Sequence, residues 1–183
     1  MRKSSLKTIG LTGLLLLNLA GGAWAANLLV NGGFEQPALS EGGFDASLKA
    51  IPGWQALGGT LELQNCAAGK PCEGSQLVEL DAEANGSIVQ SVKTAPGQQY
   101  RLSLAYSPRP GVAASSNSIE VYFDGQLLAT LSADGSDTTE TVWQTYTYEV
   151  TASGPKATLK FTASGESDGQ GGYLDSVTLE PLN

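Results

Sequence analysis

Apolar and polar residues alternate with a period of two along most of this 183-residue chain, and no long stretch competes with it at the helical period of 3.6. Tyr100, Leu102, Leu104 and Tyr106 share one face of a strand, opposite Arg101, Ser103, Ala105 and Ser107. Ile119, Val121 and Phe123 point one way, leaving Glu120 and Tyr122 the other. Turn signals divide the runs: Asn85-Gly86, Ala95-Pro96-Gly97, Asp124-Gly125, Asp134-Gly135 and Ser153-Gly154-Pro155. The pattern predicts strands over Asn27–Asn31, Thr60–Gln64, Gln76–Asp81, Ser87–Lys93, Gln99–Ser107, Ser118–Phe123, Gln126–Leu131, Trp143–Thr151, Lys156–Ala163 and Tyr173–Glu180. Asp124-Gly125, set between two alternating runs, predicts a two-residue hairpin. Many short strands with turns at this spacing point to an all-β sandwich.

The first 25 residues read as a secretory signal peptide. Arg2, Lys3 and Lys7 precede a short apolar stretch, and Ala23-Trp24-Ala25 offers a small-x-small cleavage site. The remaining residues, 26–183, suit one domain with one core, and the expected location is secreted or periplasmic. Without those three bases, 7 basic residues face all 18 acidic ones, a net charge of −11. Such a chain is repelled by phosphate backbones and anionic lipid, so neither nucleic acid nor membrane insertion is an expected partner. There is no histidine. That removes Ser-His-Asp and Cys-His catalysis together with His-ligated metals. Cys66 and Cys72 are the only cysteines, and in an exported chain a close isolated pair reads as a disulfide. Closing so small a loop contributes about 2.4 kcal/mol in the chain-entropy estimate.

Chemistry concentrates at the two ends and on a few aromatic residues. Each end carries one carboxylate in an apolar, strand-like run: Glu35 near the start and Asp175 near the finish. Alternation puts Asp175 in one row with Tyr173, Val177 and Leu179, where a carboxylate is costly unless paired or metal-bound. If first and last strands meet, Glu35 and Asp175 can share a calcium ion completed by backbone carbonyls near Asn31, Gly33 or Trp54. Paired carboxylates also serve glycosidases. Glu79, Asp81, Glu120 and Glu149 compete equally for such a role, so no catalytic pair stands out and the chain reads as a non-enzyme. Flat aromatic faces suit the apolar side of a pyranose. Trp54, after Ile51-Pro52-Gly53, reads as core. Tyr122 and Trp143 are expected outward, and Tyr106 ends its strand beside Pro108-Arg109-Pro110, which brings in Arg109. The loop from Ser164 to Gly172, with Glu166, Asp168 and Gln170 among four glycines, suits recognition or a second cation.

The opening Asn27-Leu28-Leu29-Val30-Asn31-Gly32-Gly33-Phe34-Glu35, the Ile51–Trp54 segment and the closing Leu174-Asp175-Ser176-Val177-Thr178-Leu179 resemble the galactose-binding-like jelly rolls. That group includes the DUF642 and choice-of-anchor C families and several carbohydrate-binding modules. The resemblance spans nearly all of the chain after the leader and implies a jelly-roll β-sandwich. In the related modules, acidic residues at places corresponding to Glu35 and Asp175 hold a structural calcium. The resemblance further implies a non-catalytic protein that binds extracellular or cell-wall polysaccharide. The alternative is a structural protein of the cell envelope or matrix without a sugar pocket.

Overall fold

The computed structural model describes residues 26–182; the leader assigned to residues 1–25 lies outside them. The described residues form twelve strands and no helix: β1 (Phe44–Leu48), β2 (Ala50–Ile51), β3 (Trp54–Leu57), β4 (Leu61–Gln64), β5 (Leu77–Glu79), β6 (Ser87–Lys93), β7 (Gln99–Ser107), β8 (Ile119–Phe123), β9 (Gln126–Leu131), β10 (Gln144–Thr151), β11 (Lys156–Ala163) and β12 (Tyr173–Pro181). They pair antiparallel into two six-stranded sheets, ordered β1-β4-β5-β12-β7-β10 and β2-β3-β6-β11-β8-β9. This is the all-β sandwich expected from the alternation, with the jelly-roll architecture that the resemblance implies.

The faces that alternation assigned inward meet between the sheets. Leu102, Leu104, Tyr106, Ile119, Val121, Leu159 and Phe161 are all buried there. Trp54 sits at the centre, 2 % exposed, with ring centroids 5.5 Å from Phe34 and 5.9 Å from Phe161. Its indole N–H donates to the carbonyl of Asn31 at 3.0 Å, so the buried polar tip is satisfied. Pro52-Gly53 turns β2 into β3 with Gly53 at φ 83°, and Ile51 faces Trp54 across the turn. The Asp124-Gly125 hairpin has both residues at positive φ, 49° and 78°, as a type I′ turn requires.

Two expectations need correction. Residues 27–31 form no strand, although they do run beside the last one. Leu28 N–H donates to Leu179 O and Val177 N–H to Gly32 O, both at 2.9 Å. Second, Asp175 is not in the inward row. The β12–β7 register shifts between Asp175 and Thr178, with Ser176 at φ 53°. This bulge leaves Leu174, Val177 and Leu179 in the core. Tyr173, opposite Glu79, and Asp175 are thereby turned to the outer face of their sheet. Both are fully buried even so, because chain segments cover that face.

Candidate functional site

A cleft of about 380 Å³ opens where β7 and β10 meet the loop after β9. Trp143, Tyr106 and Tyr146 line it, with Pro108 and Val142 as further apolar walls and Asp134, Thr138 and Gln144 as polar groups. The local sequence explains the opening. Gln144, Tyr146 and Tyr148 occupy the inward phase of β10, but β10 ends its sheet and has a neighbour on one side only. Tyr146 and Tyr148 therefore pack on the core while staying partly exposed. Tyr106 and Tyr146 meet edge to face, with centroids 6.3 Å apart.

The groups in this cleft are held firmly. Tyr106 is 1 % exposed; its hydroxyl donates to Asn117 O and accepts from Ala133 N–H at 3.1 Å. Burial raises that phenol well above its ordinary value, so it stays neutral and serves as wall and anchor. The Trp143 indole N–H donates to Lys70 O at 2.9 Å, fixing a half-buried ring whose remainder is accessible. Tyr146 donates its hydroxyl to Gln144 Oε1 at 3.0 Å. An indole and a phenol beside a carboxylate, a hydroxyl and a carboxamide combine stacking surface with polar edge groups. A second hollow of about 320 Å³, beside β9 and β10, presents no indole or phenol.

Of the four residues assigned to sugar contact, Trp143 and Tyr106 come together in this cleft; the other two lie elsewhere. Tyr122 is on β8, in the other sheet. Its hydroxyl donates to Glu120 at 2.6 Å, and the Lys160 ammonium lies 4.0 Å over its ring, so one face is already in use. Arg109 donates to both oxygens of buried Glu79, at 2.9 and 2.7 Å. Glu79 also accepts from Gly171 N–H at 2.6 Å and from Gln64 at 3.0 Å. Burial pushes the Glu79 carboxyl up to about 8 against the pull of Arg109. Arg109 borders a separate hollow of about 190 Å³ with Phe44, Glu62, Ala67, Ala68 and Gly169. Tyr146 was missed: alternation puts it on one face with Tyr148 and Val150, opposite the outward Trp143, and periodicity does not reveal which strand ends a sheet.

Glu35 and Asp175 grip one short segment from its two ends. Asp175 Oδ2 accepts Cys72 N–H at 2.7 Å and Glu73 N–H at 3.0 Å, and Oδ1 accepts Ser176 N–H. Glu35 Oε1 accepts Ser75 N–H at 2.9 Å and Gln76 N–H at 3.0 Å. Asn31 turns both ends of its amide to Gln36, donating to its carbonyl and accepting its N–H. This donor-rich surround fits an amide clamp. Among the described residues no three acidic or cysteine side chains gather as a metal-binding group. Burial raises the Asp175 carboxyl to about 7, outweighing these hydrogen bonds.

The expected disulfide is not formed in the structure: Cys66 and Cys72 are both free and exposed. Hydrogen bonds tie down the loop between them instead. Ala68 N–H donates to Gln64, Trp143 and Thr141 both donate to Lys70 O, and Cys72 N–H is held by Asp175.

Comparison with known proteins places this geometry among relatives. The profile of the family described as "Protein of unknown function (DUF642)" matches residues 27–180. A multifunctional-autoprocessing repeats-in-toxin of Vibrio vulnificus is 30% identical over 158 residues, covering 85% of this chain. The match spans only 3% of that protein's own length. Among solved structures, an arabinose-bound α-L-arabinofuranosidase, MgGH51, is similar with a TM-score of 0.57 and 17% identity, covering 88% of this chain and 27% of that one. TmCBM61, solved in complex with β-1,4-galactotriose, is similar with a TM-score of 0.52 and 14% identity, covering 86% and 100%. At these identities the likeness is one of fold.

Proposed function

The chain belongs to the DUF642 family, and from that premise we propose that it is an exported, non-catalytic carbohydrate-binding protein whose sugar site is the Trp143–Tyr106–Tyr146 cleft. The observation that carries the reading is the cleft itself: an anchored indole and a phenol converging with Asp134, Thr138 and Gln144 in about 380 Å³. A pyranose stacks its apolar face on Trp143 while its hydroxyls meet the polar groups. TmCBM61 lends support through its fold and its bound β-1,4-galactotriose, which makes β-1,4-galactan a rational first ligand class. Binding without turnover is supported by the engagement of two buried acids and by a chain without histidine. Glu79 is locked to Arg109, and Asp175 is locked to backbone amides.

A glycan array probed with purified protein tests this reading. Selective retention on β-linked galactan or a related plant or microbial polysaccharide supports it, and absence of binding to every glycan favours the structural-protein alternative. Export is tested by the intact mass of the protein recovered outside the inner membrane, which is expected to lack residues 1–25. A calcium ion shared by Glu35, Asp175 and Asn31 is a separate part of the proposal, and it must compete with five amide N–H donors. A melting temperature that falls on chelation, and no longer does so in Asp175→Ala, supports it.

A further inference from the structure

Among the described residues three buried side-chain oxygens lack a hydrogen-bond partner, the Tyr173 hydroxyl and two that lie close together elsewhere. Asp81 is 0 % exposed, and its Oδ1 is buried without a hydrogen bond; the buried Oδ1 of Asn85 is in the same state. The two residues face each other across an isolated antiparallel bridge. Paired residues of such a bridge project to the same side, with Cβ atoms about 5 Å apart. Gly86 N–H donating to Leu80 O at 2.9 Å closes the loop between them.

Neither oxygen can be relieved by a different choice of atoms. Asn85 Nδ2 donates to Gly165 O at 2.7 Å, so exchanging its oxygen and nitrogen would set two oxygens against each other. Asp81 Oδ2 is already committed, accepting Asp168 N–H and Gly169 N–H, both at 3.1 Å. The salt bridges among the described residues join Lys70 to Glu140 and Arg109 to Glu79, so neither supplies a cation to Asp81. Asp168, whose carboxylate accepts from Ser116 Oγ at 2.8 Å, adds negative charge to the same loop contact. A buried carboxylate oxygen and a buried amide oxygen, both unpartnered and carried on the same side of one bridge, are a costly arrangement as they stand.

We propose that Asp81 and Asn85 hold a hard divalent cation, calcium by its all-oxygen ligands, which pins the 81–85 loop to the 164–171 loop. The segment Asp81-Ala82-Glu83-Ala84-Asn85-Gly86 has the chemistry for it. Oxygen-bearing side chains stand at alternate positions before a glycine, as in the first half of an EF-hand loop. The second half of that motif is missing, since Val92 stands where the bidentate glutamate would be. The remaining ligands are therefore supplied by the facing loop and by water. This site is independent of the sugar cleft and uses oxygens other than those of Glu35 and Asp175.

Purified protein, stripped with chelator and then titrated with calcium chloride, provides the test. The melting temperature of the wild type is expected to rise by roughly 5–10 °C at a calcium concentration one hundred times the dissociation constant. Equilibrium dialysis should find one calcium ion fewer bound to Asp81→Asn than to the wild type. That variant is informative in both conditions. Its carboxamide oxygen can keep the Asp168 and Gly169 amides while its NH₂ donates to Asn85 Oδ1. Asp81→Asn should therefore match or exceed the wild type in chelator, yet show a smaller calcium response than the wild type. Asp175→Asn, which removes the other proposed ion, should leave a calcium shift that adding Asp81→Asn abolishes. A wild type indifferent to calcium overturns the proposal, leaving an ordered water between the two oxygens. It is equally overturned if the shift in Asp81→Asn equals that of the wild type, or if Asp175→Asn alone abolishes it, which would place the only ion at Glu35 and Asp175.

Discussion

Asp175 accepts three backbone N–H groups, yet burial still holds its carboxyl at about 7, far above the ordinary 3.8. The consequence for stability has a definite sign. Between about pH 4 and pH 7 the folded protein keeps a proton that the unfolded chain has released, so unfolding releases protons and stability falls as pH rises. The contribution is full below about pH 4 and is lost once the pH passes about 7. Glu79, pushed by burial to about 8, acts in the same direction over a slightly higher window. Urea denaturation is expected to show greater stability at pH 5 than at pH 8. The slope should be reduced in Asp175→Asn and not abolished, because the share from Glu79 remains. Equal stability at the two pH values would contradict this assignment. The sequence marked Asp175 as needing compensation by placing it in the inward row, whereas its burial comes from segments covering the outer face. The means of compensation was not legible, because the amides come from a segment about a hundred residues away.

Element boundaries followed turn chemistry closely where turns were explicit. β6, β7, β9 and β11 match their predicted ranges, and the Asp124-Gly125 hairpin adopts the predicted turn. A Cβ at Gly125 meets nothing within 4 Å, so Gly125→Ala isolates backbone strain at φ 78°. It is expected to cost about 1–2 kcal/mol, read as a lower denaturation midpoint with unchanged slope. Strands β1, β2 and β3 were missed: they are two to five residues long, and their exposed Phe44 and Leu57 blur the alternation. The bulge at Ser176 was also invisible, because a one-residue shift changes which side chains face the core without changing the local pattern. In the same way, the sequence placed Trp143 and Tyr122 on solvent-facing positions but could not tell that they belong to different sheets.

At the scale of the whole molecule, two sheets close on a core whose centre is the Phe34–Trp54–Phe161 cluster. Trp54→Ala should destabilise the protein by about 3–5 kcal/mol, because a large buried ring leaves a cavity and Asn31 O loses its donor. The same closure leaves β10 at one end of its sheet, and that unfinished edge is where the aromatic cleft lies. Carbohydrate binding at this cleft is the central claim. Its most direct measurement is a calorimetric titration of the best array glycan, or β-1,4-galactotriose, into wild type, Trp143→Ala and Tyr122→Ala. Loss of the anchoring indole should weaken binding by about 1–3 kcal/mol, with the protein still folded. Tyr122→Ala should bind as the wild type does, since that ring is on the opposite sheet beneath Lys160. Undiminished affinity in a folded Trp143→Ala protein would contradict the claim.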